Sequence, residues 1–245
     1  MKTNEPYSKL ALIYDRLMDH VDYHQWSKYI LDLIHRSSRE VNSLIDLSCG
    51  TGSILSYLNQ SIKKVYGSDR SKEMIFAARK KKLADVGGIF INDLKHLAIK
   101  DNCFDCALVL YDSLNYLTDN DSLRRSLIEI HRILKNGGIF IFDIVSEDHC
   151  RQHYGDFHES EYWEDDGYCR HSFYDSKNNC QYNEFRIVIK GQTYLEKHQQ
   201  KIYGIDYLKS VLEELSFGVI GIFDDFSNDD SEGDSGRNHF LCVRL

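Results

Sequence analysis

Three aspartates stand at or just after the ends of short apolar runs, where side chains can converge on a ligand. Asp46 lies near the end of the run Ser43 to Leu47, and Asp69 and Asp93 follow the next two runs. The carboxyl ends of neighbouring parallel strands meet at one edge of a sheet, so we expect these carboxylates to share one rim.

A two-glycine turn follows the first aspartate. Gly50-Thr51-Gly52 precedes a helical segment, and glycine lets the backbone turn sharply and approach a ligand because it has no Cβ atom. Such a turn between a strand and a helix is typical of nucleotide-type cofactor sites. The third glycine of a dinucleotide site is absent, since Ser53-Ile54-Leu55 follows. The turn and the three acids favour a ligand with an ammonium, a diol and an exocyclic amine over a pyrophosphate.

These residues alone leave other classes of protein open. One is a nicotinamide-dependent reductase, and another is a regulatory module that holds a cofactor without turnover. Simpler roles also remain for single residues: Asp46 could cap backbone groups of the turn, and Asp93 could be a helix N-cap.

The motifs resemble those of the class I S-adenosylmethionine-dependent methyltransferases over residues 40–145. Leu44–Gly52 is similar to their first motif, Gly67–Ile75 to the second and Asn92–Leu94 to the adenine-binding step. The resemblance implies that S-adenosylmethionine is the cofactor, that Asp69 holds its ribose and that Met74 packs near its adenine. The implied cofactor-binding residues are Tyr23, Trp26, Asp46, Ser48, Gly50, Gly52, Asp69, Arg70, Met74, Asp93, Leu94 and Tyr111.

Both flanks resemble a bacterial subgroup that acts on small molecules and includes sugar amine N-methyltransferases. The segments concerned are Ile13–Met18 with Tyr23–Trp26, Glu196–His198 and Arg237–Phe240. In that subgroup the N-terminal helices fold over the cofactor, and tyrosines reach the methyl-transfer region. We therefore take Tyr14 and His198 as candidate catalytic residues, although both also suit ordinary packing roles. N-methylation is favoured, with O-methylation of a hydroxyl or carboxylate as the alternative.

The order of elements predicts an α/β, Rossmann-like fold with a seven-stranded, mostly parallel sheet and helices on both faces. An N-terminal helical cover and a β-meander insertion complete it. We expect one methyltransferase domain over residues 1–245, with the cover at 1–36, the cofactor-binding core at 40–150, a β-meander substrate wall at 151–203 and a closing helix and strands at 204–245. Arg186 and His198 on the wall are expected to affect the substrate.

Local patterns set the bounds of the predicted elements. Ser71 is expected to cap one helix, and the apolar stripe Leu123, Leu127, Ile130 and Leu134 predicts another that ends at Lys135-Asn136-Gly137-Gly138. The meander is predicted over residues 168–203, and the acidic run 224–236 reads as a surface loop. The predicted strands are Ser43–Leu47, Lys64–Ser68, Gly88–Asn92, Phe104–Tyr111, Gly138–Val145, Val219–Phe223 and His239–Val243.

Composition limits the partners and the compartment. The formal net charge of −8 disfavours a nucleic-acid substrate, and the basic run Arg79–Lys82 reads as the solvated end of a helix. No apolar run has the length of a transmembrane helix, and seven scattered cysteines fit reduced thiols. We expect a cytoplasmic enzyme with a small-molecule substrate, acting as a monomer or homodimer. Cys103 and Cys106 lack a second matching pair, so no metal site is predicted.

Overall fold

The computed structural model describes residues 3–81, 83, 86–227, 229–231 and 236–245. Its helices are α1 (Tyr14–Leu17), α2 (Tyr23–Arg36), α3 (Leu55–Leu58), α4 (Lys72–Lys80), α5 (Asn120–Ile133), α6 (Glu147–His153) and α7 (Ile205–Glu214), with short 3-10 helices at Leu10–Leu12 and Ser113–Tyr116. Its strands are β1 (Thr3–Asn4), β2 (Ser43–Asp46), β3 (Lys64–Asp69), β4 (Val86–Ile91), β5 (Phe104–Val109), β6 (Leu134–Val145), β7 (Phe157–Trp163), β8 (Asp166–Asp175), β9 (Cys180–Ile189), β10 (Gln192–Lys201), β11 (Phe217–Asp224) and β12 (Arg237–Arg244).

The larger sheet has the predicted architecture. Within the described residues it has seven strands in the order β11-β12-β6-β5-β2-β3-β4. β6, β5, β2, β3, β4 and the edge strand β11 run in one direction, and β12 lies antiparallel between β11 and β6. The mostly parallel fold class is therefore confirmed, and the parallel strands bring Asp46 and Asp69 to one rim.

Helices cover both faces of this sheet, because each presents one apolar stripe to it. On one face α5 and α7 pack against the strands through residues such as Leu127 and Leu212. On the other face α2 and α3 do so through residues such as Leu33 and Leu55. None of the helices in the described ranges combines the length and apolar character needed to cross a membrane.

A second, five-stranded sheet follows the core in the chain. Its order is β1-β10-β9-β8-β7, with β7 to β10 antiparallel and β1 added parallel to β10. The predicted meander is therefore present but begins earlier than residue 168, since β7 starts at Phe157. Residues 3 and 4 form a strand where the sequence predicted helix, because they pair with Leu195 and Glu196.

Other bounds differ by a few residues. Ser71 caps α4 as predicted, accepting a hydrogen bond from the Met74 N–H. α5 ends at Ile133, and residues 134–138 continue directly into β6 instead of forming a separate turn, because Leu134 already pairs with Phe104. Lys82 of the basic run and residues 228 and 232–235 of the acidic loop lie outside the described residues.

Candidate active site

The glycine turn after β2 is held by two aspartates. Asp46, 1% exposed, accepts the Ser48 N–H on Oδ1 at 3.0 Å. Gly50 and Gly52 both have positive φ, at +54° and +77°, which glycine adopts without steric penalty. The Gly50 N–H donates to Asp69 Oδ2 at 2.9 Å, so the carboxylate at the end of β3 fixes the turn beside it.

Asp69 also organises the start of α4. Its Oδ1 accepts the Ser71 N–H at 2.8 Å, while burial raises the pKa of its carboxyl. Each carboxylate oxygen carries two lone pairs, so both retain capacity to accept from a diol. Met74 in the first turns of the same helix is buried.

Burial and a neighbouring charge bring the pKa of Asp46 into the physiological range. Burial raises its pKa to about 7, the Asp69 carboxylate adds to the rise, and hydrogen bonds from Ser48 oppose it. Both hydrogen bonds that the structure gives Asp46 use Oδ1. Among the described residues, Oδ2 therefore has no donor, and a cationic group of a ligand would supply one.

The third acid of the rim is more open. Asp93 accepts the Lys95 N–H at 2.9 Å, and the exposed Arg70 guanidinium approaches it at 3.7 Å. A turn follows Asp93 in the described residues, so the alternative role as a helix N-cap is excluded. Leu94 beside it packs against the core.

The N-terminal segment lies over the glycine turn. Tyr14 Cε1 lies 3.9 Å from where a Cβ on Gly50 would stand. Asp15 on α1 accepts hydrogen bonds from Thr51 Oγ1 and, at 2.8 Å, from Lys81 Nζ. This contact anchors the first part of the predicted cover, residues 7–17, to the turn, and from here on the cover means these residues alone.

A narrow cleft runs between the cover and the rim. It is lined by Tyr14, Tyr23, Asp46, Ser48, Cys49, Gly50, Thr51, Ser53, Ile54, Leu110 and Tyr111. Burial raises the pKa of Tyr23 to about 12 and that of Tyr14 well above its usual range, so both phenols stay neutral at physiological pH. The cleft therefore offers hydroxyl groups without phenolate charge.

Strained backbone positions Tyr111 at one end of the cleft. Tyr111 and Asp112 have φ of +59° and +48°, which is uncommon for residues other than glycine. The buried Asp143 carboxylate holds them there, because it accepts both of their N–H groups at 2.8 Å. Arg237 pairs with Asp112 at 2.9 Å and with Asp143, which balances the buried charge. Trp26 stacks on the Tyr111 ring with centroids 4.7 Å apart.

A chain of buried polar groups connects the cover to β10. Tyr7 Oη lies 2.7 Å from Tyr116 Oη, which lies 2.9 Å from His198 Nδ1. His198 Nε2 lies 3.1 Å from Glu196 Oε2. Burial opposes ionisation of Glu196, but the hydrogen bond from His198 and backbone N–H groups of the cover lower its pKa, so it is a carboxylate at neutral pH.

The structure thus brings most of the predicted residues to one place. Tyr14, Tyr23, Asp46, Ser48, Gly50 and Tyr111 line the cleft, while Asp69 and Gly52 support it. His198 is 1% exposed, with both ring nitrogens engaged. Arg186 is exposed and alternates with the buried Phe185 and Ile187, so it points away from the cleft, contrary to the sequence prediction.

Sequence reasoning missed the buried supports of the cleft. Tyr7 lies outside every motif, Tyr116 lies within the region of resemblance but was given no role, and the partners of Asp112 are 31, 88 and 125 residues away in the chain. Asp143 could have been identified from the sequence as a buried functional acid, because it is a lone charged residue within the apolar run of β6.

Comparison with known proteins identifies the kind of enzyme. A family model described as a methyltransferase domain matches residues 45–142, which contain the turn and its acids. The Bacillus subtilis protein YqeM, named as a methyltransferase, is 28% identical over 97% of each chain. An S-adenosylmethionine-dependent methyltransferase from Clostridium acetobutylicum ATCC 824 is 26% identical, with a TM-score of 0.83 over 97% of this chain and 98% of that one. The chain is an S-adenosylmethionine-dependent methyltransferase.

A third relative bears on the substrate. The dTDP-3-amino-3,4,6-trideoxy-alpha-D-glucopyranose N,N-dimethyltransferase of Streptomyces venezuelae is 25% identical over 50% of each chain.

The cleft of this methyltransferase also fits S-adenosylmethionine chemically. The unpaired Asp46 Oδ2 suits the cofactor ammonium, and the Asp69 carboxylate suits the ribose diol.

Proposed function

We propose that this methyltransferase transfers the methyl group to the nitrogen of a small, hydroxylated amine, such as an amino sugar. The observation that carries the proposal is the composition of the cleft. Among the described residues that line it, Asp46 is the single carboxyl group, and none is a histidine, lysine or arginine. With Asp46 taken up by the cofactor ammonium, no other lining residue is a direct general base, which suits a nucleophile that brings its own lone pair, as a neutral amine does.

Bound S-adenosylmethionine supplies a methyl group that is already electrophilic, so alignment of the nucleophile and exclusion of water carry most of the rate enhancement. Tyr14 is placed to orient the incoming amine, since its neutral hydroxyl can hydrogen-bond to nitrogen. Trp26 and Tyr111 pack against each other beside it and exclude water. Together these groups hold the amine lone pair toward the methyl carbon.

The inner face of the five-stranded sheet supports a hydroxylated acceptor. Gln181, Asn183, Gln200 and Ser172 are buried on this face, and Gln200 donates to Asp112 at the rim of the larger sheet. The Arg170 guanidinium donates to Ser172 and Asn183 in this cluster, and its amide and hydroxyl groups can recognise hydroxyl groups by hydrogen bonds. The name of the Streptomyces venezuelae relative, an amino sugar N,N-dimethyltransferase, is consistent with such a substrate.

His198 would then act through Tyr116. Both of its ring nitrogens are engaged and it is buried, so it positions Tyr116 and Tyr7 behind the cleft without touching the acceptor.

The same Glu196–His198 pair favours a second candidate function, O-methylation. A hydroxyl acceptor needs a base, and this pair could take the hydroxyl proton through Tyr116.

A matched pair of acceptors tests the proposal. The enzyme is incubated with labelled S-adenosylmethionine and either an amino sugar nucleotide or the same molecule with a hydroxyl in place of the amine. We expect methylation of the amine alone. Methylation of the hydroxyl analogue would instead support O-methylation, and transfer only to small carboxylates would exclude the sugar-like acceptor.

A further inference from the structure

Three potential metal ligands, none of which lines the cleft, converge at the β7–β8 edge of the five-stranded sheet. They are Asp156, just before β7, His158 on β7 and His171 on β8, and their ligand atoms all lie within 4.8 Å of one another. His158 and His171 are directly paired across the two antiparallel strands. Their side chains therefore stand on the same face of the sheet, side by side.

The geometry of the three groups is close to that of a coordination site. His171 Nε2 lies 2.8 Å and His158 Nε2 lies 3.2 Å from the same oxygen, Asp156 Oδ1. The two imidazole rings are 4.2 Å apart and parallel within 1°. Tetrahedral zinc with bonds of about 2.0–2.2 Å places neighbouring ligand atoms about 3.3 Å apart. The observed nitrogen–oxygen distances are those of hydrogen bonds and lie within about 0.5 Å of that value, so small side-chain movements would admit an ion.

We propose that Asp156, His158 and His171 bind a divalent transition-metal ion of the zinc type. Imidazole nitrogens suit zinc, copper and nickel, whereas magnesium and calcium prefer sites made of oxygen atoms alone. Each neutral imidazole would present its Nε2 lone pair to the ion, with its proton on Nδ1. A water molecule would complete the tetrahedron.

The site belongs to the outer face of the sheet and serves structure, not methyl transfer. Neighbouring residues of β8 alternate between faces, and the buried Ser172 lies on the inner face while His171 lies on the other. β7 is an edge strand that pairs only with β8 among the described strands. An ion bound by Asp156, His158 and His171 would fasten this edge strand and the end of the α6–β7 connection to β8.

A neighbouring histidine pair provides the matched control. His149 and His153 are four residues apart on α6, with ring centroids 4.5 Å apart, so they could hold an ion by themselves. Any binding of metal must therefore be assigned by mutation. His153 is exposed, as are His158 and Asp156, so substitutions at these positions leave the core intact.

The test is titration of the metal-free, full-length protein with zinc chloride in a calorimeter at neutral pH. We expect binding of one ion per chain, weakened at least tenfold in His158→Ala, His171→Ala and Asp156→Asn, because loss of even an outer-shell partner costs about 10–100-fold. His153→Ala should bind like the unmodified protein, and cofactor affinity should be unchanged throughout. Circular dichroism confirms that each variant is folded.

Cobalt provides a second measurement that reports geometry. Co²⁺ in a tetrahedral site gives a strong visible absorption band, which should disappear in His171→Ala and persist in His153→Ala. Absence of zinc binding to the unmodified protein would overturn the proposal. So would zinc affinities of His158→Ala and His171→Ala equal to that of the unmodified protein. Loss of binding in His153→Ala alone would move the site to α6 and overturn it as well.

Discussion

At the scale of single residues, Asp46 couples the cofactor site to pH. Its carboxyl is buried, with a pKa of about 7 in the protein without ligand. A cofactor ammonium beside it would favour the ionised form, so binding below that pH must release a proton. We expect cofactor affinity to fall as the pH drops from 8 to 6, by about tenfold for the one proton involved.

Calorimetry in buffers of different ionisation enthalpy measures this proton release. Asp46→Asn should bind the cofactor weakly and without the pH dependence, whereas Asp93→Asn should retain the pH dependence. A pH-dependent affinity in Asp46→Asn would assign the effect to another group.

The raised pKa of Asp46 also affects the stability of the protein. Because this pKa lies above its unfolded value of 3.8, the contribution of Asp46 to stability is full below that pH and is lost as the pH rises towards 7. Asp46→Asn should therefore raise the stability of the ligand-free protein at pH 8 by on the order of 1–4 kcal/mol.

Tyr14 provides a test of the proposed orienting role. Tyr14→Phe keeps the ring over Gly50 and removes only the hydroxyl. We expect the turnover number to fall about tenfold to a hundredfold, with cofactor affinity unchanged, because one orienting contact is lost. Tyr57→Phe, on α3 and partly exposed, is the control and should be fully active. Full activity in Tyr14→Phe would return this residue to a packing role.

At the scale of elements, Glu196 on β10 anchors the cover. Its carboxylate, 0% exposed, accepts the N–H groups of Tyr7, Lys9 and Leu10 and the hydroxyl of Ser8. The charge is thus shared among the donors of one short segment. Hydrogen bonds to a buried carboxylate contribute more than neutral ones, so this single side chain joins two distant parts of the chain.

Glu196→Gln should loosen this connection. The variant's amide turns an NH₂ group toward backbone N–H donors, and we expect a loss of about 2–4 kcal/mol in the free energy of unfolding. Glu184→Gln on β9 removes the exposed partner of Lys197 and should cost less than about 1 kcal/mol. Chemical denaturation of both variants measures the difference.

The pKa of Glu196 is lowered in the folded protein, so the stabilising effect of Glu196 should be lost as the pH falls through that pKa.

Elements with a strong local pattern were predictable, and those set by distant partners were not. The Ser71 cap and the α5 stripe depend on neighbouring residues, so the sequence predicts both. β1 is two residues long and exists because β10 offers it an edge, which no local pattern reveals. The site shows the same division. Asp46 and Asp69 follow from a motif, whereas the contact of Tyr7 with Tyr116 depends on how two sheets meet.

At the scale of the whole molecule, the cover links the two sheets. Asp15 joins it to Thr51 and Lys81 beside the larger sheet, and Glu196 joins it to the smaller one. We expect S-adenosylhomocysteine to slow hydrogen exchange in residues 7–17 and 50–56, because a ligand in the cleft holds the cover closed. Residues 157–163 at the outer edge should exchange at unchanged rates. Protection confined to that edge would place the ligand elsewhere.

This double attachment has a consequence for the order of events in a reaction cycle. We expect exchange of spent cofactor for fresh to take the cover off the glycine turn, and the same movement would pull on its anchor, Glu196 in the five-stranded sheet. One opening then frees both products, so an amine that accepts two methyl groups would leave the enzyme between them. We expect the singly methylated product to accumulate in solution before the doubly methylated one appears, in a time course followed by mass spectrometry at limiting enzyme.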